Sequence, residues 1–339
     1  MGSLPFPQVA AGLTGALVAA LVLTPVILLI ARRLSLFDRP GSETRKAHAR
    51  PTPRLGGLAL FLALALGLMA SRYWTAVGVG EGERLVVILF GALLFFLLGL
   101  ADDLFSLPAG VKLFFQFLIA LGVAGLGVRI EGLFGVPIEP GVAVALTSVW
   151  IVGIVNTINF IDGLDGLAAG VGAIAAASFG VIALSSGQPL PALISACLLG
   201  ALVGFLPYNF FPARIFLGDS GALAVGFLLA AISIVGVYKT VTLAVLPIPI
   251  LILMLPIFDT LFAIVRRLME GRSPADPDLG HFHHRLLRLL GRRYLGLNGA
   301  GGETSPNHLM ASPAHRTAVL ILWLLTAAAA TLASWWGMG

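Results

Sequence analysis

Ten stretches of this chain are apolar over roughly the length of a bilayer crossing, which for a helix takes about 20 residues. They fall near 8–31, 56–74, 84–101, 112–128, 141–158, 167–185, 190–206, 221–236, 241–265 and 316–336. Inside lipid every backbone N–H and C=O must be paired within the protein, so only helices and closed barrels can span. The runs are continuous rather than alternating, and that pattern selects helices. Only 11% of the 339 residues are charged, against about 25% in a soluble domain. Too few charges remain to clothe a water-facing surface, which excludes a soluble enzyme, a secreted domain and a disordered chain.

The expected fold is therefore all-α: one membrane-embedded domain over 1–339 with about ten transmembrane helices. The first run follows no basic n-region and is too long for a signal peptide core, so it reads as an uncleaved helix. The ninth carries Pro247, Pro249 and Pro256 and is expected to bend. The lone Cys197 excludes an internal disulfide framework and a cysteine-rich metal site.

Charge sets the topology. With ten spans, Arg72, Arg84, Arg129 and Lys239 fall on one side and the other 17 of the 21 basic residues on the opposite side. By the positive-inside rule the second side is cytoplasmic and both termini lie outside. Twelve of the 16 acids are inside as well, and Glu81, Glu83, Glu131 and Glu139 are outside. The outer face balances to zero, so the inner face carries the whole formal charge of +5.

The unusual residue clusters lie almost entirely in the inner loops. RKAHARPTPRLGG, at 45–57, is basic and turn-rich. It can offer cations and backbone N–H groups to an anion, or simply anchor the chain to anionic lipid. Asp102 and Asp103 close the third span and Lys112 opens the fourth, within pairing reach of either carboxylate. Neighbours on a helix stand 100° apart, so one pocket would take only one of the two acids directly.

In NTINFIDGLDGLAAG, Asn156, Asn159, Asp162 and Asp165 recur every three residues. A tightened helix of 3.0 residues per turn would align them, and an α-helix would let them drift. FLGDSG sets Asp219 on a glycine-flanked turn at a helix start, as a helix cap or as part of a hard-cation site. The longest inner loop, 269–315, holds His281, His283, His284 and Arg285, then leucines and arginines spaced as in an amphipathic surface helix. With no cysteine nearby, phosphate or sugar binding suits that cluster better than zinc. Carboxylates, amides and cations on one face suit a diphosphate held through Mg²⁺. The bare middles of the spans do not suit a transport path.

Together, RKAHARPTPRLGG, LADDLFSLPAGVK, NFIDGLDGLAAG, FLGDSGAL and HFHHRL resemble the polyprenyl-phosphate N-acetylhexosamine-1-phosphate transferase superfamily, in family order from about Arg45 to Leu290. HFHHRL looks like the branch that transfers GlcNAc-1-phosphate or a related sugar, rather than the phospho-N-acetylmuramoyl-pentapeptide transferases. The resemblance implies an enzyme of the bacterial inner membrane with its site on the cytoplasmic face. It would use a UDP-N-acetylhexosamine and undecaprenyl phosphate with Mg²⁺, or Mn²⁺ in its place.

The resemblance also implies residue roles. Asp219, with Asn159, would ligate the metal. Asp102 would orient or deprotonate the lipid phosphate, with Asp103 beside it and Asp162 in the same catalytic group. Asp165 would read the uracil edge, with Asn156 in the same substrate-binding segment. Lys46, His48 and Lys112 would lie near phosphate or nucleotide. His281, His283, His284 and Arg285 would hold the diphosphate and sugar. Membrane lipids are the expected surroundings, a homodimer is compatible, and no nucleic-acid partner is expected. The rival class is a transporter of a lipid-linked or nucleotide-linked sugar.

Overall fold

The computed structural model describes residues 6–34, 37–38, 52–72, 79–133, 136–237, 247–271, 282–294 and 312–338. Twelve helices are present among them. They are α1 (Phe6–Arg33), α2 (Gly56–Ser71), α3 (Val79–Phe105), α4 (Ala109–Gly125), α5 (Pro140–Ile161) and α6 (Leu167–Ser185). The series continues with α7 (Pro189–Asn209), α8 (Gly218–Val237), α9 (Pro247–Ile252), α10 (Met254–Met269), α11 (Phe282–Tyr294) and α12 (Pro313–Met338). Seven of them, α1, α3, α5, α6, α7, α8 and α12, are long and apolar enough to cross a membrane, and α2 and α4 are shorter apolar helices. Two minimal antiparallel hairpins complete the described structure: β1 (Phe37–Asp38) with β2 (Thr52–Pro53), and β3 (Gly132–Leu133) with β4 (Val136–Pro137). The chain is a multi-pass, all-α membrane protein.

The bend expected in the ninth run is present as a break between α9 and α10 at Leu253. Pro256 accounts for it. It has no N–H to donate to the carbonyl of Ile252 four residues back, and its ring crowds that carbonyl. The amphipathic segment expected within 269–315 appears as α11, which turns Leu287 into the core and leaves Arg285 and Arg288 exposed. Rather than lying alone on a surface, it packs on α12.

Helix α8 is the hub, touching α2, α3, α5, α6 and α7. Apolar burial distinguishes little between helices when lipid is as apolar as leucine, so close packing of small residues carries the association. At Gly99 a Cβ would stand 2.3 Å from the carbonyl oxygen of Asp219, and at Gly57 it would stand 2.3 Å from the backbone nitrogen of Gly221. Both contacts are with backbone, which cannot swing aside. Gly99→Ala should therefore push the start of α8 off α3, costing about 1–3 kcal/mol as an overpacking change. The melting temperature in detergent should fall by several degrees; an unchanged value would refute the close approach.

A short backbone clasp shapes one end of the bundle. Gly56 and Gly57 donate their N–H groups to the carbonyls of Phe216 and Leu217 at 3.0 and 2.8 Å, and Phe216 N–H donates to Pro53 at 2.8 Å. The backbone donors at this glycine pair are thus spent on the fold rather than offered to an anion.

Candidate active site

Four helix ends meet at this end of the bundle. Asp102 and Asp103 arrive on the last turn of α3, Lys112 on the first turn of α4, Asn159 near the end of α5, and Asp219 in the first turn of α8. The α3–α4 turn folds back tightly because Asp102 Oδ1 accepts the N–H of Leu107 at 2.8 Å. That reversal returns Lys112 to the same carboxylate. Lys112 Nζ donates to Asp102 Oδ2 at 2.6 Å, to Asp219 Oδ1 at 3.1 Å and to Asn159 Oδ1 at 3.3 Å. Asn159 Nδ2 also donates to Asp219 Oδ1.

The adjacent acids of α3 take different tasks, as the 100° step requires. Asp102 faces Lys112. Asp103 turns to α8, where Oδ1 accepts the N–H of Asp219 and Oδ2 the N–H of Ser220, both at 2.9 Å. A carboxylate from one helix thereby caps the N-terminus of another and complements its dipole. Asp219 is not the cap of its own helix, so its side chain is left for the cluster. Gly218 is required beneath it: φ is +75°, and a Cβ would lie 2.5 Å from the carbonyl oxygen of Arg54.

The three-residue spacing of the Asn/Asp series resolves into neither of the two helical alternatives. The α-helix α5 stops at Ile161 and a glycine-bearing turn follows, with Gly166 at φ +78°. Asn156 and Asn159 ride the helix, one turn apart. Asn156 spends its amide N–H groups on Gln116 Oε1 at 2.6 Å and on the carbonyl of Val152 at 2.8 Å, tying α4 to α5. Asp162 is the C-cap residue of α5. Asp165 sits in the turn, where its Oδ2 accepts the N–H of Ala213 at 2.9 Å and its own N–H donates to His315 Nε2 at 3.0 Å.

Burial, and after it the Asp219 and Asp103 carboxylates, push Asp162 well above its ordinary value of 3.8, against the pull of the Arg54 guanidinium. Such a group favours the folded state while protonated. Above 3.8 the unfolded chain ionises first, so stability declines as pH rises toward the folded value. Asp162→Asn should therefore melt higher than the native chain at pH 7–8 in chelator, and the gap should close toward about pH 4. A gap independent of pH would refute the assignment of strain to this carboxylate.

Asp102 and Asp219 share the one ammonium of Lys112, and Asp162 lies within the field of the Asp219, Asp103 and Arg54 charges, which leaves an excess of negative charge suited to a divalent cation. Among the described residues no three His, Cys, Asp or Glu side chains form a ready-made metal cage. What converges is an all-oxygen set, Asp219, Asn159 and Asp102, around the Lys112 ammonium. Hard cations such as Mg²⁺ are held by one or two carboxylates with the remaining positions left to phosphate and water, and this donor set fits that requirement.

Lys46, His48 and His281 fall outside the described residues, as does the side chain of His284. His283 is buried, with Nδ1 3.1 Å from Asp259 Oδ2. Arg285 is exposed, its Cζ 5.8 Å from the centroid of the Phe262 ring. Three residues escaped the sequence reading. Arg54 was visible only as one cation in a basic loop, and the clasp to Phe216 brings it to Asp162. Asp259 stood out only as a single acid in an apolar run. His315, 1% exposed, had no motif around it.

Comparison with known proteins places this chain among its relatives. The model of the family described as Glycosyl transferase family 4 matches residues 85–237. The chain is 41% identical over 277 residues to the probable undecaprenyl-phosphate N-acetylglucosaminyl 1-phosphate transferase of Bacillus subtilis (strain 168), covering 80% of this chain and 75% of that one. It is 36% identical over 308 residues to the decaprenyl-phosphate N-acetylglucosaminephosphotransferase of Mycolicibacterium smegmatis, covering 82% and 75%. The phospho-N-acetylmuramoyl-pentapeptide-transferase of Halalkalibacterium halodurans is more distant, at 31% over 236 residues, 64% of this chain and 71% of that one.

Proposed function

Since this chain belongs to glycosyl transferase family 4, we propose that its converging helix ends transfer GlcNAc-1-phosphate from UDP-GlcNAc to undecaprenyl phosphate, releasing UMP. The observation that carries the reading is the oxygen cluster of Asp102, Asn159 and Asp219 around Lys112, in a chain whose nearer relatives bear the N-acetylglucosaminyl phosphotransferase name. The enzyme works in the bacterial inner membrane with this site toward the cytoplasm, a placement supported by 17 of 21 basic residues falling on that side.

In the reaction an oxygen of the lipid phosphate forms a bond to the sugar-bearing phosphorus, and the bond from that phosphorus to UMP breaks. Phosphoryl transfer asks for positioning and charge neutralisation more than for covalent help. A phosphate monoester has its second pKa near about 6, so the nucleophile is largely dianionic at neutral pH. Asp102 therefore has little to deprotonate, and its task is placement, shared with Lys112. Asp103 acts at one remove by fixing the N–H groups of Asp219 and Ser220. Asp219 and Asn159 would hold Mg²⁺, which would supply charge neutralisation on the diphosphate. Asp165 is anchored by Ala213 and His315 at the edge of the turn, where it reads the uracil.

The test is release of UMP by purified protein in detergent with UDP-GlcNAc, undecaprenyl phosphate and Mg²⁺. Parallel reactions use UDP-GalNAc and UDP-MurNAc-pentapeptide. Release with UDP-GlcNAc alone supports the proposal. Release only with the pentapeptide donor moves the enzyme to the other branch, and no release with any donor leaves the transporter reading.

A further inference from the structure

Helix α10 carries one acid, Asp259, in an otherwise apolar run, and its side chain is 7% exposed. A carboxylate in such a place needs partners. Two of its contacts are with α11. Oδ1 accepts the N–H of Phe282 at 2.7 Å, and Oδ2 lies 3.1 Å from Nδ1 of His283. Phe282 opens α11, so the carboxylate caps a helix start whose N–H groups and dipole favour an anion. One turn along α10, the Phe262 ring underlies the guanidinium of Arg285 at 5.8 Å. Helix α10 thus grips the HFHHR segment at two points. α11 in turn packs on α12, whose His315 holds the N–H of Asp165.

We infer that Asp259 is a positioning residue that orients the imidazole of His283 for the sugar-nucleotide donor. With the carboxylate as acceptor, the proton of the neutral ring sits on Nδ1, and the ring plane is fixed by the same bond. The cap to Phe282 sets where the segment begins. A helix cap alone would not require a second oxygen on the histidine, and a histidine partner alone would not require the bond to Phe282. This inference rests on the function proposed above and on the donor-holding role that the resemblance implies for His283 and Arg285.

The experiment measures wild-type UMP release first. Its absence overturns the function, whereas an active wild type with an unaffected variant overturns only the role of Asp259. Asp259→Asn retains an oxygen for the Phe282 N–H and loses the carboxylate on His283. Its melting temperature should stay within about 2 °C of wild type, as a retained cap costs little. kcat/KM for UDP-GlcNAc should fall about 10- to 100-fold, the scale seen when the outer partner of a working histidine is lost. KM for undecaprenyl phosphate should hold within about twofold, which a general loosening of the fold would not allow. Adding Asp259→Asn to His283→Asn should weaken calorimetric UDP-GlcNAc binding by less than about twofold further, since both changes remove one interaction. Unchanged kcat/KM, equal losses on both substrates, or additive losses in the double variant would each overturn the inference.

Discussion

Asp219→Asn is expected to reduce UMP release by on the order of 10³-fold while the protein stays folded. Charge neutralisation by a metal is worth several kcal/mol at a transferring phosphoryl group, and about 4 kcal/mol corresponds to three decades of rate. The fold should survive because Asp219 is held through its backbone: its N–H is bound by Asp103, and that bond does not depend on its side chain. Asn also matches Asp in shape. It removes the charge that pairs with Lys112 at 3.1 Å, so melting in chelator should fall, by no more than a few degrees because Lys112 keeps its bond to Asp102. Raising the Mg²⁺ concentration should not restore the lost rate. Near-normal, Mg²⁺-stimulated transfer by this variant would end the assignment of Asp219 as a metal ligand.

Removal of Lys112 should produce the second large effect, in stability as well as activity. In Lys112→Met, Asp102 and Asp219 lose the ammonium that lies 2.6 and 3.1 Å from their oxygens. Breaking a fully buried ion pair costs about 3–5 kcal/mol. The Asp219 side chain is 26% exposed, which brings the expected loss to the order of 2 kcal/mol, since water screens what is not buried. The variant should melt a few degrees lower in chelator and lose about 100-fold or more in turnover. Mg²⁺ should then raise its melting temperature by more than it raises that of wild type, because the same oxygens become available to the cation. Equal Mg²⁺ shifts in the two proteins would show that metal and lysine do not share those oxygens.

Much of the architecture was legible because lipid simplifies the code. Continuous apolar runs have few alternatives to helices, and three prolines foretold the break that Pro256 places at Leu253. The scarcity of charge made Asp102, Asp103, Lys112, Asn159, Asp162 and Asp219 conspicuous, and all six meet at one end of the bundle. What stayed hidden depends on contacts between distant parts of the chain. The sequence offered Asp219 as a possible cap of its own helix. The cap is Asp103, more than a hundred residues earlier, and no local pattern encodes that. Spacing by threes in Asn156–Asp165 left an aligned tight helix and a drifting α-helix both open, but the helix ends at Ile161 and the last two acids leave it. Arg54, Asp259 and His315 reach their partners through a backbone clasp, a broken helix and the last helix, none of which has a local signature.

The grip of α12 on the rest of the molecule bears on how such an enzyme could be recombined. Residues 85–237, the stretch matched by the family model, bring Asp102, Lys112, Asn159 and Asp219. Yet the Asp165 turn is held by His315, and at Gly170 a Cβ would stand 2.0 Å from the Trp323 ring. Arg54 and the glycine pair press on the same site from the opposite end of the chain. A chimera that swapped only the matched stretch between two relatives would inherit the reactive groups without the helices that brace them. Donor preference should therefore travel with large blocks that include α12, and grafts of the central stretch alone should yield well-inserted but poorly aligned enzymes.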